Sequence, residues 1–214
     1  MTERLDPPDD SRVASTPVRR QDLLVLRVGT LVVRLHPLGG SHPCDWNEMR
    51  HWGPTTSRFD HHPPPIGNHP DHGIAYLAHG RAALATVIAE VFQSAGSVVD
   101  IDTADTRNWH LTAFCLAADL SLLDTSRGWV TRAGGNQAIN SGPRDVSRQW
   151  ARAIDAHTAV DGIGYPSSVF GPGRCVAVWE RATVFPARPT VTRRLADLGP
   201  ALDNAAQQLG VRVI

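Results

Sequence analysis

Glu90 is the residue of this chain whose type and setting most demand a chemical explanation. It lies in RAALATVIAEVFQS, a helical run in which Ala85, Val87, Ile88, Ala89, Val91 and Phe92 surround it with apolar side chains. An unpaired carboxylate in such company is costly, because water no longer solvates the charge. It must surface in the last helical turn, pair with a cation, or face a polar cleft. Arg34, inside the strand-like LVVRLH, poses the same question with the opposite sign. A buried Arg34–Glu90 pair and a cleft lined by both residues are the two joint explanations.

Other chemistries narrow by exclusion. The chain contains no lysine, and all 21 of its basic residues are arginine. That excludes a Schiff-base lysine, a P-loop lysine and a Ser–Lys dyad. There is no G-x-S-x-G elbow, no cysteine in a catalytic signature, and Gly171–Pro172–Gly173 is not a dinucleotide-binding fingerprint. Six of the ten histidines fall between His51 and His79. Neither HExxH nor C-x-x-C accompanies them, and prolines break the segments HHPPP and NHPDH. His61, His62, His69 and His72 therefore read as solvated loop residues, and no metal site is expected. The remaining polar candidates are Arg58, Tyr76, Tyr165, Ser147, Ser167 and Ser168. Each taken alone also fits a turn, a cap or core packing, Ser147 as the cap of a helix starting near Arg148.

The elements that must position these residues follow from composition and patterning. At 214 residues, 42% hydrophobic and 20% charged, the chain can bury a full core without a disulfide or metal staple. Zero net charge argues against nucleic-acid binding by phosphate neutralisation. No apolar stretch approaches the roughly 18 residues of a membrane span. The first twenty residues lack the apolar region of a secretory signal, and Cys44, Cys115 and Cys175 are too few for a disulfide framework. A cytoplasmic protein is expected, with Cys115 and Cys175 as small buried hydrophobes.

Residues 1–20, polar and rich in proline and aspartate, read as a flexible tail, and 21–214 as one domain. Within it, LLVLRV reads as a short helix or strand, and TLVVRLH, GIAYLA, 97–102, 109–117 and RCVAVWERA as strands. Helices are expected over RAALATVIAEVFQS, over 145–157 with Val146, Trp150, Ala153 and Ile154 on one face, and over 201–209. VRVI is expected to close the chain as a strand. The Pro-, Gly- and His-rich segment 37–72 and the segment 125–143 read as loops. Strands with a few interspersed helices predict an α+β domain on a mixed or antiparallel sheet.

TSRFD, GIAYLA, the alanine-rich helix ending AEVFQ, SRQWARAI and DGIGYPSS, in that order, resemble the RES domain family. The resemblance covers residues from about 27 to 181, five short blocks whose order is kept. That family supplies toxins of bacterial RES–Xre toxin–antitoxin systems. The resemblance implies an ADP-ribosyltransferase-like fold and destruction of NAD⁺ at its nicotinamide–ribose bond, with water or inorganic phosphate as acceptor. It implies no bound cofactor. It also implies an Xre-like antitoxin as partner, with neither nucleic acid nor membrane, and leaves self-association open. It places the family arginine at Arg34, a second arginine at Arg58, the tyrosine at Tyr76 and the glutamate at Glu90. The serine falls on Ser147, with Ser167 the second candidate. Two positions depart from the pattern. The interval from Tyr76 to Glu90 is about three residues long for the family, a rotation of about 60° on a helix, and the shorter spacing would put Val87 in the cleft. Leu35 stands where the family sometimes has an aromatic residue.

The chemistry of such a reaction suits these residue types. Breaking the N-glycosidic bond builds positive charge on the ribose, which a fixed carboxylate stabilises. Arginine forks grip phosphate oxygens in pairs. A tyrosine ring can lie against nicotinamide, which leaves as a neutral amine and needs neither lysine nor metal. Two other readings stay open: a mono-ADP-ribosyltransferase acting on a macromolecule, and an inactive binding or regulatory domain whose Arg34–Glu90 pair is structural.

Overall fold

The computed structural model describes residues 4–40, 42–93, 100–104 and 106–214. Short apolar runs, largely buried on both faces, build most of the strands. They are β1 (Leu23–Leu26), β2 (Leu31–Pro37), β3 (Trp52–Gly53), β4 (Gly67–Asn68), β5 (Ile74–His79), β6 (Trp109–Cys115), β7 (Leu120–Asp124), β8 (Gly162–Pro166), β9 (Arg174–Trp179) and β10 (Val191–Arg194). Eight of them form one sheet in the order β1-β7-β8-β9-β5-β2-β6-β10, and β3 and β4 make a separate two-residue ladder. Neighbours are antiparallel except β7 and β8. That parallel pair needs a crossover, which the helices α3 (Trp129–Arg132) and α4 (Arg144–His157) supply. The domain is α+β with a mixed sheet, as its patterning predicts.

The central strand β9 is buried on both faces. Cys175, Ala177 and Trp179 meet Trp129, Trp150 and Ile154 from the helical layer. Val176 and Val178 meet Leu77, Phe114 and Leu122, under a cover of Val184, Trp46 and Phe185 from loops. Helix α2 (Ala83–Phe92) lies between two partners: Ala85 and Ile88 pack toward Leu202, Ala205 and Ala206 of α5 (Pro200–Leu209), whereas Ala83 and Val87 pack on Val33, Ala78 and Leu111 of the sheet. Burial on both sides explains why α2 is apolar nearly all round.

Several expectations are corrected. The N-terminal segment is docked, not loose. Leu5 and Val13 are core residues at 3% and 1% exposure. Asp9 caps a short helix, α1 (Asp10–Ser15), and Trp150 donates its indole N–H to the Asp6 carbonyl at 2.9 Å. Two well-placed apolar side chains outweigh the polar composition around them. LLVLRV is the edge strand β1. Segment 125–143 carries α3 and a 3₁₀ turn, Gln137–Ile139, because Trp129, Val130 and Ile139 are fully buried. Strands β7, β8 and β10 and the short β3–β4 ladder carry no pattern that marks them in the sequence. VRVI contributes only a bridge from Val213 to Ile101, and residues 97–99 of the strand expected over 97–102 lie outside the described residues. Cys175 is buried, but Cys115 is exposed at the end of β6. No helix among the described residues is long and apolar enough to cross a membrane.

A docked N-terminal segment predicts that Leu5→Ala lowers stability by about 2 kcal/mol or more, the cost of truncating a core leucine. A melting or urea titration unchanged by the substitution would return the segment to the status of a free tail.

Candidate active site

The site begins where two strands part. β2 and β5 pair only at Val32↔His79 and Val33↔Ala78. Beyond that point β2 follows β6 as far as Pro37, β5 follows β9 back to Ile74, and Ile74 bridges to Arg50. A cavity of about 270 Å³ occupies the gap and is lined by Arg34 and His36 of β2, Tyr76 of β5, Thr86, Val87 and Glu90 of α2, and loop residues including Arg50 and Arg58. Val87 and Glu90 are one helical turn apart, so both reach the cavity. The carboxylate therefore faces the cleft.

Glu90 is half-buried, and its Oε1 accepts a 2.5 Å hydrogen bond from Ser167 Oγ. The same Ser167 hydroxyl accepts from the amides of Val169 and Phe170 at 3.3 and 3.0 Å. Its orientation is thus set by the turn after β8. That turn presses on α2 at Gly173, where a Cβ would stand 2.8 Å from Ser167 Cβ and 2.9 Å from Thr86 Cγ2. A side chain at 173 would push apart the elements that hold Glu90.

Arg58 is 8% exposed, and its Nη1 donates to the carbonyls of Ile139 and Gly142 and to Ser147 Oγ, at 3.1, 3.0 and 2.8 Å. Ser147 is fully buried and is not a cap, because α4 starts three residues earlier at Arg144. It does not line the cavity; it positions Arg58. The backbone here is strained: Phe59, fully buried with its ring 4.8 Å from that of Tyr165, takes a left-handed φ of 61°. That conformation costs a non-glycine residue about 1–2 kcal/mol. The Tyr76 hydroxyl fixes it from one side by donating to the Arg58 carbonyl at 3.0 Å. Burial pushes the Tyr76 phenol up, so it stays protonated and able to donate.

Asp60 fixes the segment from the other side. Its buried carboxylate accepts from Thr55 N and Oγ1 at 2.7 Å, from Arg50 Nη2 at 2.9 Å and from His62 Nδ1 at 2.5 Å. These bonds outweigh burial and hold its pKa well below the usual carboxylate range. Sequence reasoning missed Asp60, since an aspartate beside two histidines in a proline-rich run looks solvated. Arg50, His36 and Arg144, which also line the cavity, were missed as well.

Arg34 is buried but not paired with Glu90. Its Nη1 donates to the carbonyls of Trp46 and Glu48 at 2.7 and 2.6 Å, and its Nη2 to Cys44 Sγ at 3.2 Å. The guanidinium also lies 5.6 Å from the Phe185 ring centre. Two residues on, His36 Nδ1 donates to the Cys44 carbonyl at 3.1 Å, which leaves Nε2 to accept from Thr112 Oγ1 at 2.9 Å. Arg34 and His36 together pin the loop from Cys44 to Glu48 to the cleft. The buried-pair explanation fails because the loop carbonyls satisfy the guanidinium first.

With this geometry in view, the fold can be compared with solved structures. It is similar to a chain in the crystal structure of the M. tuberculosis MbcT–MbcA toxin–antitoxin complex, with a TM-score of 0.57 over 94% of this chain and 97% of that one, at 16% identity. The two share a fold. No protein-family model matches the sequence, and no curated protein matches it.

The histidine-rich loop is more ordered than its composition suggests. His61 and His62 are buried at 2% and 0% exposure, not solvated, and the rings of His61, His62, His69 and His72 neighbour one another at 5.5 to 6.2 Å. Among the described residues no group of three or more histidine, cysteine or acidic side chains is arranged to hold a metal ion.

Buried neutral histidines make stability pH-dependent. Burial, with the nearby Arg34 charge, lowers His36 to about 4, and burial, with His62, lowers His61 to about 3. In the unfolded chain both would titrate near 6.5, so on acidification the unfolded chain gains protons that the folded one refuses. Stability is expected to fall as pH drops from about 6.5 towards 4, by at most about 1.4 kcal/mol per pH unit for each histidine. Urea unfolding of wild type and His36→Gln across this window checks the point. An identical slope in the two proteins would show that His36 does not contribute.

Proposed function

We propose that the protein cleaves the nicotinamide–ribose bond of NAD⁺, as the toxin of a toxin–antitoxin pair of the RES kind. The observation that carries this reading is a single carboxylate, Glu90, oriented by Ser167 in a cleft that also gathers the cations of Arg34, Arg50, Arg58 and Arg144 among apolar and aromatic side chains. Such a cavity favours an anionic ligand, and the diphosphate of a dinucleotide supplies the anion. The lone carboxylate then has a definite task. As the C1′–N bond of the ribose breaks, its electron pair leaves with nicotinamide, and the ribose gains oxocarbenium character that Glu90 opposes. Glu90 Oε1 is engaged by Ser167, and the Cys175 thiol lies against the same carboxylate, so both hold it toward the ribose. Water attacking C1′ forms the new C–O bond and gives its proton to solvent; phosphate would form a C–O–P link instead. Tyr76, tied through its hydroxyl to the Arg58 carbonyl, offers a fixed ring edge in the cleft rather than a proton.

The toxin assignment draws on the ordered sequence blocks together with the fold shared with a chain of a toxin–antitoxin complex. An antitoxin of the Xre-like kind is the corresponding partner. Incubation with NAD⁺, with and without phosphate and a protein acceptor, tests the activity. Free nicotinamide without label on protein is the expected result; labelled protein would mean macromolecular ADP-ribosylation, and unchanged NAD⁺ an inactive domain.

Glu90→Gln keeps the shape and the Ser167 contact but removes the charge. It is expected to slow nicotinamide release by roughly 10²- to 10³-fold at unchanged melting temperature. Full activity in that variant would remove Glu90 from the chemistry.

A further inference from the structure

Of the four arginines lining the cleft, three are held by the protein itself. Arg34 grips the Cys44–Glu48 loop, Arg50 the Asp60 carboxylate, and Arg58 the peptide carbonyls before α4 together with Ser147. Arg144 differs. It is exposed, it lines the same cavity, and among the described residues its side chain makes no hydrogen bond or ion pair. Arg58 lies beside it, and all three Arg58 side-chain bonds use Nη1, so Nη2 and Nε have no protein acceptor among the described residues.

Positive charge therefore gathers at one place, and Glu90 is the one lining carboxylate set against the two arginines. Burial works against the charge on Arg58, and the Arg144 guanidinium adds to that as a like charge. α4 begins at this point with Pro143 before it and no side chain capping its first turn, so the positive end of the helix dipole adds to the two guanidinium groups. The acidic residue of that turn, Asp145, does not line the cavity, and the single charge of Glu90 offsets only one of the two guanidinium groups. An anion between the two arginines would relieve their repulsion and satisfy the free guanidinium edges.

We propose that Arg144 and Arg58 form a phosphate subsite at the start of α4, with Arg144 as its principal ligand. The phosphate belongs either to a dinucleotide diphosphate or to free orthophosphate. The inference rests on the functional reading above for its ligand class, and it moves phosphate recognition away from Arg34, whose donors are committed to the loop.

Calorimetric titration of the intact protein with ADP-ribose, adenosine and orthophosphate tests it on wild type, Arg144→Gln and Arg144→Lys. In Arg144→Gln, phosphate-dependent binding is expected to weaken about tenfold or more, the scale of a lost charged hydrogen bond. Adenosine affinity should stay unchanged and the melting temperature should not fall, because Arg144 bonds nothing among the described residues and its loss removes a like charge beside Arg58. Arg144→Lys should fall between, since a point charge replaces a fork. Orthophosphate that competes with ADP-ribose and depends on Arg144 identifies the free anion. Failure to compete, with ADP-ribose binding still dependent on Arg144, identifies the diphosphate. Equal affinity of wild type and Arg144→Gln for both phosphate ligands, or no binding of either to wild type, overturns the subsite. Arg144-dependent binding without nicotinamide release from NAD⁺ would sink the catalytic reading and leave the subsite standing.

Discussion

Only two residue pairs join β2 to β5, and the cleft is what remains when that ladder stops. Had the strands stayed paired to Pro37 and Ile74, backbone hydrogen bonds would close the space where Arg34, His36 and Tyr76 now open onto a cavity. The parting leaves each strand well anchored on its outer side, β2 to β6 over seven pairs and β5 to β9 over five. The sheet therefore does not fray; it divides. Loops must then close the gap from the sides, and their backbone polar groups need partners that no strand supplies. The buried charges of the site exist largely to meet that need.

Arg34 and Asp60 perform this task with opposite signs. One guanidinium collects the carbonyls of Trp46 and Glu48, and one carboxylate collects the amide and hydroxyl of Thr55 with Arg50 and His62. A buried ion is poor value as stabilisation compared with a packed apolar residue, but it specifies geometry when all its bonds are made. Here the geometry specified is the path from Cys44 to His62, which includes the strained Phe59 and delivers Arg58 to the start of α4. The strain at Phe59 persists because its ring is buried and the residues on either side of it are bonded.

The legibility of the sequence divides along the same line. Wherever apolar patterning decides structure, as in β2, β5, β9, α2 and α4, the elements can be read to within about three residues. Glu90 was conspicuous because it breaks a helix otherwise wrapped in apolar partners. The residues that sequence reasoning missed or misassigned owe their roles to long-range bonds. Asp60, His36 and Arg144 carry no local signature. Ser147 looks like a cap until the true start of α4 is known, and Arg34 looks like a partner for Glu90 until the loop carbonyls claim it. The tail was misread for a related reason: Leu5 and Val13 are too few to make a periodic signal, yet each fills a core position.

That docked segment bears on the cleft through α4. Trp150 gives its indole N–H to the Asp6 carbonyl, His157 lies 3.3 Å from the Asp10 carboxylate, and Arg12 donates to the Arg132 carbonyl at the end of α3. The middle and the end of α4 are thus held by residues that precede the first strand. The start of the same helix carries Ser147, which orients Arg58, and Arg144, which meets no partner among the described residues. A helix free to shift along its axis would carry both arginines with it, because three of the bonds on Arg58 end on Ser147 or on the peptide groups just ahead of the helix. Rigid docking of α4 by the N-terminal segment and its packing on the sheet is what allows two like charges to stay side by side, and it is why the segment belongs to the architecture of the cleft.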